Sequence, residues 1–288
     1  MNRKEQKLRT EAESTWCPGC PNHLVLESTK KAIGEKIENG EMNREDISIA
    51  TGIGCHGKMF DYLNLGGVYT LHGRVLPTCL GMKIGNPNLE VIGFGGDGDT
   101  YSEGMSHFVH AARYNPDITM MVHNNQVFAL TTGQATPVSE KGFTSKAQPK
   151  GTPHQPLNPL KLAISLDASF VARVYPKKMQ HMKETLKKAM DHKGFAFIDI
   201  AFPCLIYNNK QEFLERNIYE LEENGHDPTD EIKALEKARE WDYNTGKDKK
   251  QDVPVGVIYK KEKETLSDKR PKLKELKEKN KAWWQTKK

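Results

Sequence analysis

The sequence predicts an α/β fold, a doubly wound and mostly parallel sheet followed by a helical C-terminal extension. Three observations lead there. Apolar, β-rich runs recur along the first two thirds of the chain, helix-compatible segments separate them, and glycine- or asparagine-rich turns follow several of the runs. Strands alternating with helices build a parallel sheet covered on both faces. Ligands of such sheets sit beyond the carboxyl ends of the strands.

The strand candidates are residues 47–51, 89–94, 118–123, 170–175 and 195–202. Between or before them, residues 21–38, 76–84, 102–114, 159–167 and 177–193 have helix-compatible composition. Glycine clusters at 52–57 and 93–98 and the pair Asn124-Asn125 each follow a strand candidate, so they converge on one rim. Residues 139–159, rich in Gly, Pro, Ser and Lys, predict a long irregular loop, a feature usually functional or disordered inside a compact domain. After Cys204 the composition turns to charged helix formers. The expected division is residues 1–207 as a ligand-binding α/β domain and 208–288 as a charged helical extension. No internal repeat is present.

At 288 residues the chain is long enough for a large core. Hydrophobic residues make up 36% and charged residues 28%, a balance typical of soluble globular proteins. No apolar run approaches the roughly 20 residues of a membrane span. The amino-terminal MNRKEQKLRTEAEST is charged and lacks the apolar core of an export signal, so a cytoplasmic location without membrane contact is expected. Five cysteines do not suggest a disulfide scaffold; in a reducing compartment, Cys17-Pro18-Gly19-Cys20 with distant partners reads as a metal or redox site. The net charge of +5 is concentrated at the end, where residues 260–288 hold twelve Lys/Arg against five acids. A solvated helical tail is the plain reading, and a patch that steers an acidic electron carrier the sharper one. No recognition motif accompanies the charge, so nucleic acid is not an expected partner.

Two motifs carry chemistry. In the first, an apolar run ends in Gly93-Phe94-Gly95-Gly96-Asp97-Gly98-Asp99. Glycine lets the backbone approach a phosphate closely, and free amides ahead of the next helix favour an anion. Asp97 supplies a hard carboxylate oxygen for Mg²⁺, which takes oxygen ligands completed by phosphates. An amide oxygen of Asn124-Asn125 would reach the same ion, and a backbone carbonyl just beyond would complete the set. A lone Gly-Asp-Gly is a common turn, and a capping carboxylate is the plain reading of Asp97. Its pairing with Asn-Asn, each after an apolar strand, is far more specific.

The second motif is the cysteine set Cys17, Cys20, Cys55 and Cys204. Four cysteinates suit Zn²⁺ or a [4Fe–4S] cluster equally by count. One close pair plus two isolated cysteines favours the cluster, because structural zinc sites usually show two close pairs. Cys79, within a helix-like segment, reads as a buried small hydrophobe.

From Trp16 to about Asn208 the chain resembles the β subunit of the two-subunit 2-oxoacid:ferredoxin oxidoreductases. The matching segments are Trp16-Cys17-Pro18-Gly19-Cys20, Gly52-Ile53-Gly54-Cys55, Leu71-His72-Gly73-Arg74, Gly96-Asp97-Gly98-Asp99, residues 125–137 (NQVFALTTGQATP) and Pro156-Leu157-Asn158-Pro159. The resemblance implies a fold of the thiamine-diphosphate-binding type, with Mg²⁺ held by Asp97, Asn125 and the Val127 carbonyl. It implies cofactor contacts from Ile53, Gly54, Cys55, His56, His72, Gly98, Asp99, Ala129 and Leu130, and a [4Fe–4S] cluster on the four cysteines. The implied activity is oxidative decarboxylation of a 2-oxoacid with coenzyme A, 2-oxoglutarate first and pyruvate next or a broad range, with electrons passed to ferredoxin.

The glutamate that activates thiamine diphosphate normally lies on a second domain, and the resemblance puts that domain on an α subunit. This chain is therefore half of an active site and needs that partner. Glu103 is expected to cap or pack the helix after the glycine turn. Lys58 is the basic residue best placed to meet a substrate carboxylate, with a solvated surface lysine as its plain reading; Leu130 and Thr132 would border the substrate side chain. Two other classes remain open: a non-redox thiamine-dependent lyase or ligase subunit with structural zinc, and a non-catalytic module stabilised by a metal. The last leaves the Gly-Asp-Gly and Asn-Asn pairing without a purpose.

Overall fold

The computed structural model describes residues 8–244 and 251–286. The first seven residues of the charged amino terminus, and Lys287 and Lys288 of the basic tail, lie outside the described residues. In chain order the elements that matter begin with α1 (Asn22–Glu38), β1 (Ile47–Thr51), α2 (Met59–Tyr62), β2 (Gly66–Tyr69) and α3 (Val75–Gly85). They continue with β3 (Glu90–Gly96), α4 (Met105–Tyr114), β4 (Ile118–Asn124), the hairpin β5 (Val127–Phe128) and β6 (Gln134–Ala135), and α5 (Pro159–Ser165). Then come β7 (Phe170–Val174), α6 (Met179–Asp191), β8 (Phe195–Ala201), α7 (Gln211–Asn217), β9 (Ile218–Glu220), α8 (Glu231–Glu240), β10 (Val253–Lys260) and α9 (Pro271–Glu278).

Side chains alternate across each strand, and here both faces are apolar. On β3, Ile92 and Phe94 enter one core with α1 and α6, whereas Val91 enters a second core with α3, α4 and α5. On β8, Ala196, Ile198 and Ile200 join the first core and Phe195 and Phe197 the second. Helices on both faces follow from that double burial. Among the described residues, eight strands form one sheet in the order β2-β1-β3-β4-β8-β7-β10-β9. Neighbours run parallel except β10, which is antiparallel to β7.

The sheet is therefore the mostly parallel, doubly wound one the sequence predicts. All five strand candidates and all five helix candidates correspond to elements. Residues 99–103 depart from the expectation: the backbone opens there into a π-helical turn, with the Gly104 amide donating to the Asp99 carbonyl at 3.0 Å, before α4 begins. Such turns concentrate at functional sites. The segment after residue 208 carries helices α7, α8 and α9, and it also returns two strands, β9 and β10, to the main sheet. No helix among the described residues is long and apolar enough to cross a membrane.

Candidate active site

The rim expected from the sequence exists. β1, β3 and β4 run parallel, so the turns after them emerge side by side. Those turns, with the β5–β6 hairpin, line one cleft. Ile53, Gly54, Cys55, His56, His72, Gly98, Asp99, Ala129 and Leu130 all border it, as do Asp97, Asn125 and Val127.

Close backbone approach explains the glycines. A Cβ on Gly98 would collide with the Phe128 ring, and one on Gly52 with the Asp99 carboxylate. Gly54 adopts φ 151°, and a Cβ there would lie 2.7 Å from the His56 ring. The floor of the cleft is polar. The Gly73 amide donates to Asp99 Oδ1 at 2.7 Å, and His72 Nδ1 faces the same oxygen at 3.1 Å. His56 Nε2 faces Asp99 Oδ2 at 3.5 Å. Burial opposes a charge on Asp99, yet His56, the Gly73 amide and His72 together hold its carboxyl below the usual range.

Burial, with His56 nearby, pushes the His123 imidazole well below its ordinary value, so it is neutral at physiological pH. Its Nδ1 donates to Asn22 Oδ1 at 2.8 Å, which leaves Nε2 as a buried acceptor with no protein partner. His56 Nε2, His72 Nδ1 and Asp99 Oδ2 also lack a well-formed hydrogen bond. Unpartnered polar atoms around a glycine-cradled cleft are what a polar ligand requires.

Asp97 is buried and accepts from Thr136 Oγ1 at 2.6 Å; burial nevertheless pushes its carboxyl up to about 7. A cation beside it would remove that penalty. Asn125 follows β4, its side-chain oxygen accepting from the Val127 amide at 3.1 Å. Between them Gln126 takes a left-handed φ of 59° and is anchored by its own side chain, which donates to the Val138 carbonyl at 2.6 Å and the Tyr243 carbonyl at 2.8 Å. Asp97, Asn125 and the Val127 carbonyl are hard oxygen donors of the kind Mg²⁺ takes, so the residues fit that ion.

A second cleft shares the wall formed by Asn22, Cys55, Asn125, Ala129, Leu130 and Phe202. Cys17, Cys20, Cys55 and Cys204 all line it. Burial, with the neighbouring cysteines adding to it and a backbone hydrogen bond at Asn22 opposing it, pushes the Cys20 thiol up to about 11; Cys55 is raised by burial too, with Lys58 opposing the shift. Four thiols lining one cleft are the donor set that a thiophilic metal group takes. The indole of Trp16 donates to the Cys55 carbonyl at 2.7 Å and ties the two cysteine segments together. Cys79 stands apart, fully buried in the second core with its thiol pushed up to about 12.

Lys58 lines this second cleft and not the first, and its Nζ donates to the Thr15 carbonyl at 3.0 Å. Thr131, rather than Thr132, reaches the first cleft; Thr132 sits in a left-handed turn with φ 77°. Glu103 does not cap α4, which has no side-chain cap. Its carboxylate, at the last position of the π-helical turn, faces His72 Nδ1 at 3.2 Å instead. Asn22, His123, Phe128, Phe202, Trp16, Thr136 and Asn208 belong to the two clefts or their supports without having been singled out. A histidine closing an apolar strand just before Asn124-Asn125 was the readable signal for His123.

Residues 52–200 match the family model of the C-terminal, TPP-binding domain of thiamine pyrophosphate enzymes, and residues 204–275 match that of the C-terminal part of pyruvate ferredoxin oxidoreductase β subunits. The 2-oxoacid:ferredoxin oxidoreductase subunit β of Saccharolobus solfataricus is 41% identical over 261 residues, which span 86% of this chain and 82% of that one. The chain is a β subunit of the 2-oxoacid:ferredoxin oxidoreductase family. The 2-oxoglutarate synthase subunit KorB of Archaeoglobus fulgidus is 36% identical, covering 75% of this chain and 83% of its own. Among solved structures, a 2-oxoglutarate:ferredoxin oxidoreductase from Magnetococcus marinus, with 2-oxoglutarate, coenzyme A and succinyl-CoA bound, superposes with a TM-score of 0.86 at 30% identity, covering 98% of this chain and 92% of that one. The 2-oxoacid:ferredoxin oxidoreductases are two-subunit enzymes, so this β subunit works with an α partner, and the matched domain makes thiamine diphosphate its cofactor.

Proposed function

We propose that this β subunit, paired with its α subunit, oxidatively decarboxylates a 2-oxoacid with coenzyme A to acyl-CoA and CO₂, and passes the electrons through a [4Fe–4S] cluster to ferredoxin in a reducing cytoplasm. The observation that carries the reading is the shared wall: the cleft of four thiols and the glycine-cradled cleft have Cys55, Asn125, Ala129 and Leu130 in common. A cofactor in one cleft and a cluster in the other would lie on opposite sides of that wall.

Thiamine diphosphate supplies the electron sink for decarboxylation, and the protein's part is binding, orientation and electrostatics. Asp97, Asn125 and the Val127 carbonyl would hold Mg²⁺ on the diphosphate, with Gly98 giving it room. His56, His72 and Asp99 border the same cleft and would meet the rest of the cofactor. Leu130 stands on the wall common to the two clefts. Lys58, beside Cys55, would place its positive charge where an anionic substrate or a reduced cluster gains from it.

Zinc suits the cysteines less well. Four thiolates on one Zn²⁺, at about 2.3 Å each, would lie under about 4 Å apart. Among the described residues no three His, Cys, Asp or Glu side chains converge as one ion requires. Names of relatives favour 2-oxoglutarate or a broad 2-oxoacid range as substrate. The test is anaerobic purification of the α/β complex, with iron and sulfide analysis and a panel of 2-oxoacids assayed with coenzyme A and ferredoxin. About four iron per β chain with coenzyme-A-dependent ferredoxin reduction is the expected result; zinc in its place, or turnover without reduction of an acceptor, overturns it.

A further inference from the structure

The two clefts also share a backbone connection. β8 runs on through Phe202, whose amide donates to the Asn124 carbonyl at 3.2 Å, and reaches Cys204. The chain then reverses in a turn closed by a bridge between Cys204 and Asn208, the Asn208 amide donating to the Cys204 carbonyl at 3.0 Å. From that turn Asn208 Nδ2 donates to the carbonyl of Asn125 at 2.9 Å. Two residues on, Lys210 Nζ donates to Gln126 Oε1 at 2.8 Å. One five-residue turn therefore carries a thiol of the cysteine cleft at its first position. At its last it grips the backbone between β4 and the Val127 carbonyl.

We propose that the Cys204–Asn208 turn couples the two sites, with Asn208 as the positioning residue. The proposal rests on the reading above, that the cysteines hold a cluster and that Asp97, Asn125 and Val127 hold the cation of the cofactor. Ligation of Cys204 fixes the start of the turn. The closed turn fixes Asn208, and its donated hydrogen bond sets the Asn125–Val127 backbone that presents oxygen to the cation. Gln126, held at φ 59° between the two donors, makes that backbone sensitive to a lost anchor. Such coupling is reciprocal, so an occupied cation site also favours retention of the cluster.

The experiment uses the α/β complex and Mn²⁺ as the probe, with free Mn²⁺ counted by electron paramagnetic resonance in the presence of thiamine diphosphate. Cluster-loaded wild type should bind Mn²⁺ about tenfold more tightly than the same complex stripped of iron, a mid-range coupling. Asn208→Ala should keep its iron and its melting midpoint, yet bind Mn²⁺ as weakly as the stripped wild type, whether loaded or stripped. Should alanine fail to fold, Asn208→Asp keeps the size and polarity but sets an acceptor against the Asn125 carbonyl, and the same outcome is expected. Equal affinities in loaded and stripped wild type overturn the coupling. A loaded-versus-stripped difference that survives in the Asn208 variants removes Asn208 from it. A wild type that carries no iron, or shows no cofactor-dependent Mn²⁺ binding, instead sinks the underlying reading, and is told apart by the iron assay.

Discussion

Thr136 donates its hydroxyl to Asp97 Oδ2 at 2.6 Å in a site where burial still pushes that carboxyl up to about 7. One hydrogen bond offsets only part of the desolvation of a buried carboxylate. The folded, cation-free chain therefore binds a proton at Asp97 more tightly than the unfolded chain does. With the folded pKa raised above 3.8, this group favours the fold below that value and loses the contribution as pH rises through about 7. Asp97→Asn should thus stabilise the cation-free protein at pH 8 by roughly 2–4 kcal/mol, at about 1.4 kcal/mol per pKa unit, and far less at pH 4. Urea melts in chelator at the two pH values check this, and an equal gain at both sinks it. The same variant should lose Mg²⁺-dependent cofactor binding. In the wild type, apparent Mg²⁺ affinity should fall about tenfold per pH unit below 7, as one proton displaces the ion.

Serine in place of Cys17, Cys20, Cys55 or Cys204 should lower iron content, because each thiol lines the one cleft. Cys79→Ser should leave iron unchanged and cost stability, on the order of 1–3 kcal/mol for a hydroxyl placed in an apolar core. Iron analysis and denaturant melts of the five variants separate the two classes. Full iron retention in Cys204→Ser would remove that residue from the ligand set.

Gly98→Ala should weaken thiamine diphosphate binding at least about tenfold without touching either core, since its methyl group meets the Phe128 ring at the cleft wall. Removing the ring relieves the collision, so Gly98→Ala/Phe128→Ala should recover part of the loss. Calorimetric titration of the assembled complex measures both. An unaffected Gly98→Ala affinity would show that the cofactor does not pass over that glycine.

Behind the rim lies a buried charge pair that supports Asn124. Arg173 Nε donates to Asp199 Oδ2 at 3.2 Å, Tyr243 bonds both partners at 2.7 Å, and Asn124 Nδ2 donates to Asp199 Oδ1 at 2.9 Å. Replacing Arg173 by Met leaves Asp199 buried without its cationic partner, and breaking such a pair typically costs about 3–5 kcal/mol. Arg173→Met/Asp199→Leu should recover much of that stability, while Mg²⁺ affinity stays reduced because Asn124 has lost its support. Recovery of both together would mean that the pair has no part in placing the Asn124-Asn125 loop.

The sequence made the central strands legible because each is an apolar run closed by glycine or asparagine, and the chemistry lies in those closing turns. β2 was not legible: its four residues, Gly66-Gly67-Val68-Tyr69, sit exposed at the sheet edge and show no apolar pattern. β10 does have an apolar run, but Pro254 and Gly256 interrupt it, and a register shift between Val257 and Tyr259 bends it. At the site, Asp97 and Asn125 announced themselves by motif. Asn208 and Thr136 act only through bonds to backbone or to another side chain, and such supports have no spacing to read. Lys58 was legible as a cation near Cys55, but which cleft it lines depends on the bond to Thr15, from a segment far away in sequence.

The last prediction concerns assembly. Leu71 is 77% exposed immediately before His72, and Ile206 is 63% exposed on the lip of the cysteine cleft beside Leu130 and Tyr207. Large apolar side chains clustered at the mouth of a cleft mark an interaction surface. Obligate interfaces of this kind bury more than about 2,000 Å². The α partner should therefore close over this rim, and Leu71→Asp or Ile206→Asp should weaken α/β association at least about tenfold while leaving the melting of the isolated chain unchanged. Trp284, 72% exposed, is the control. Its neighbour Lys281 accepts from Asn88 at the opposite, amino-terminal end of β3, so Trp284→Asp should assemble normally. Sedimentation of mixed subunits reads the association, and coenzyme-A-dependent reduction of a viologen dye reads the consequence. Robust turnover by the isolated 288-residue chain would show that the rim needs no cover.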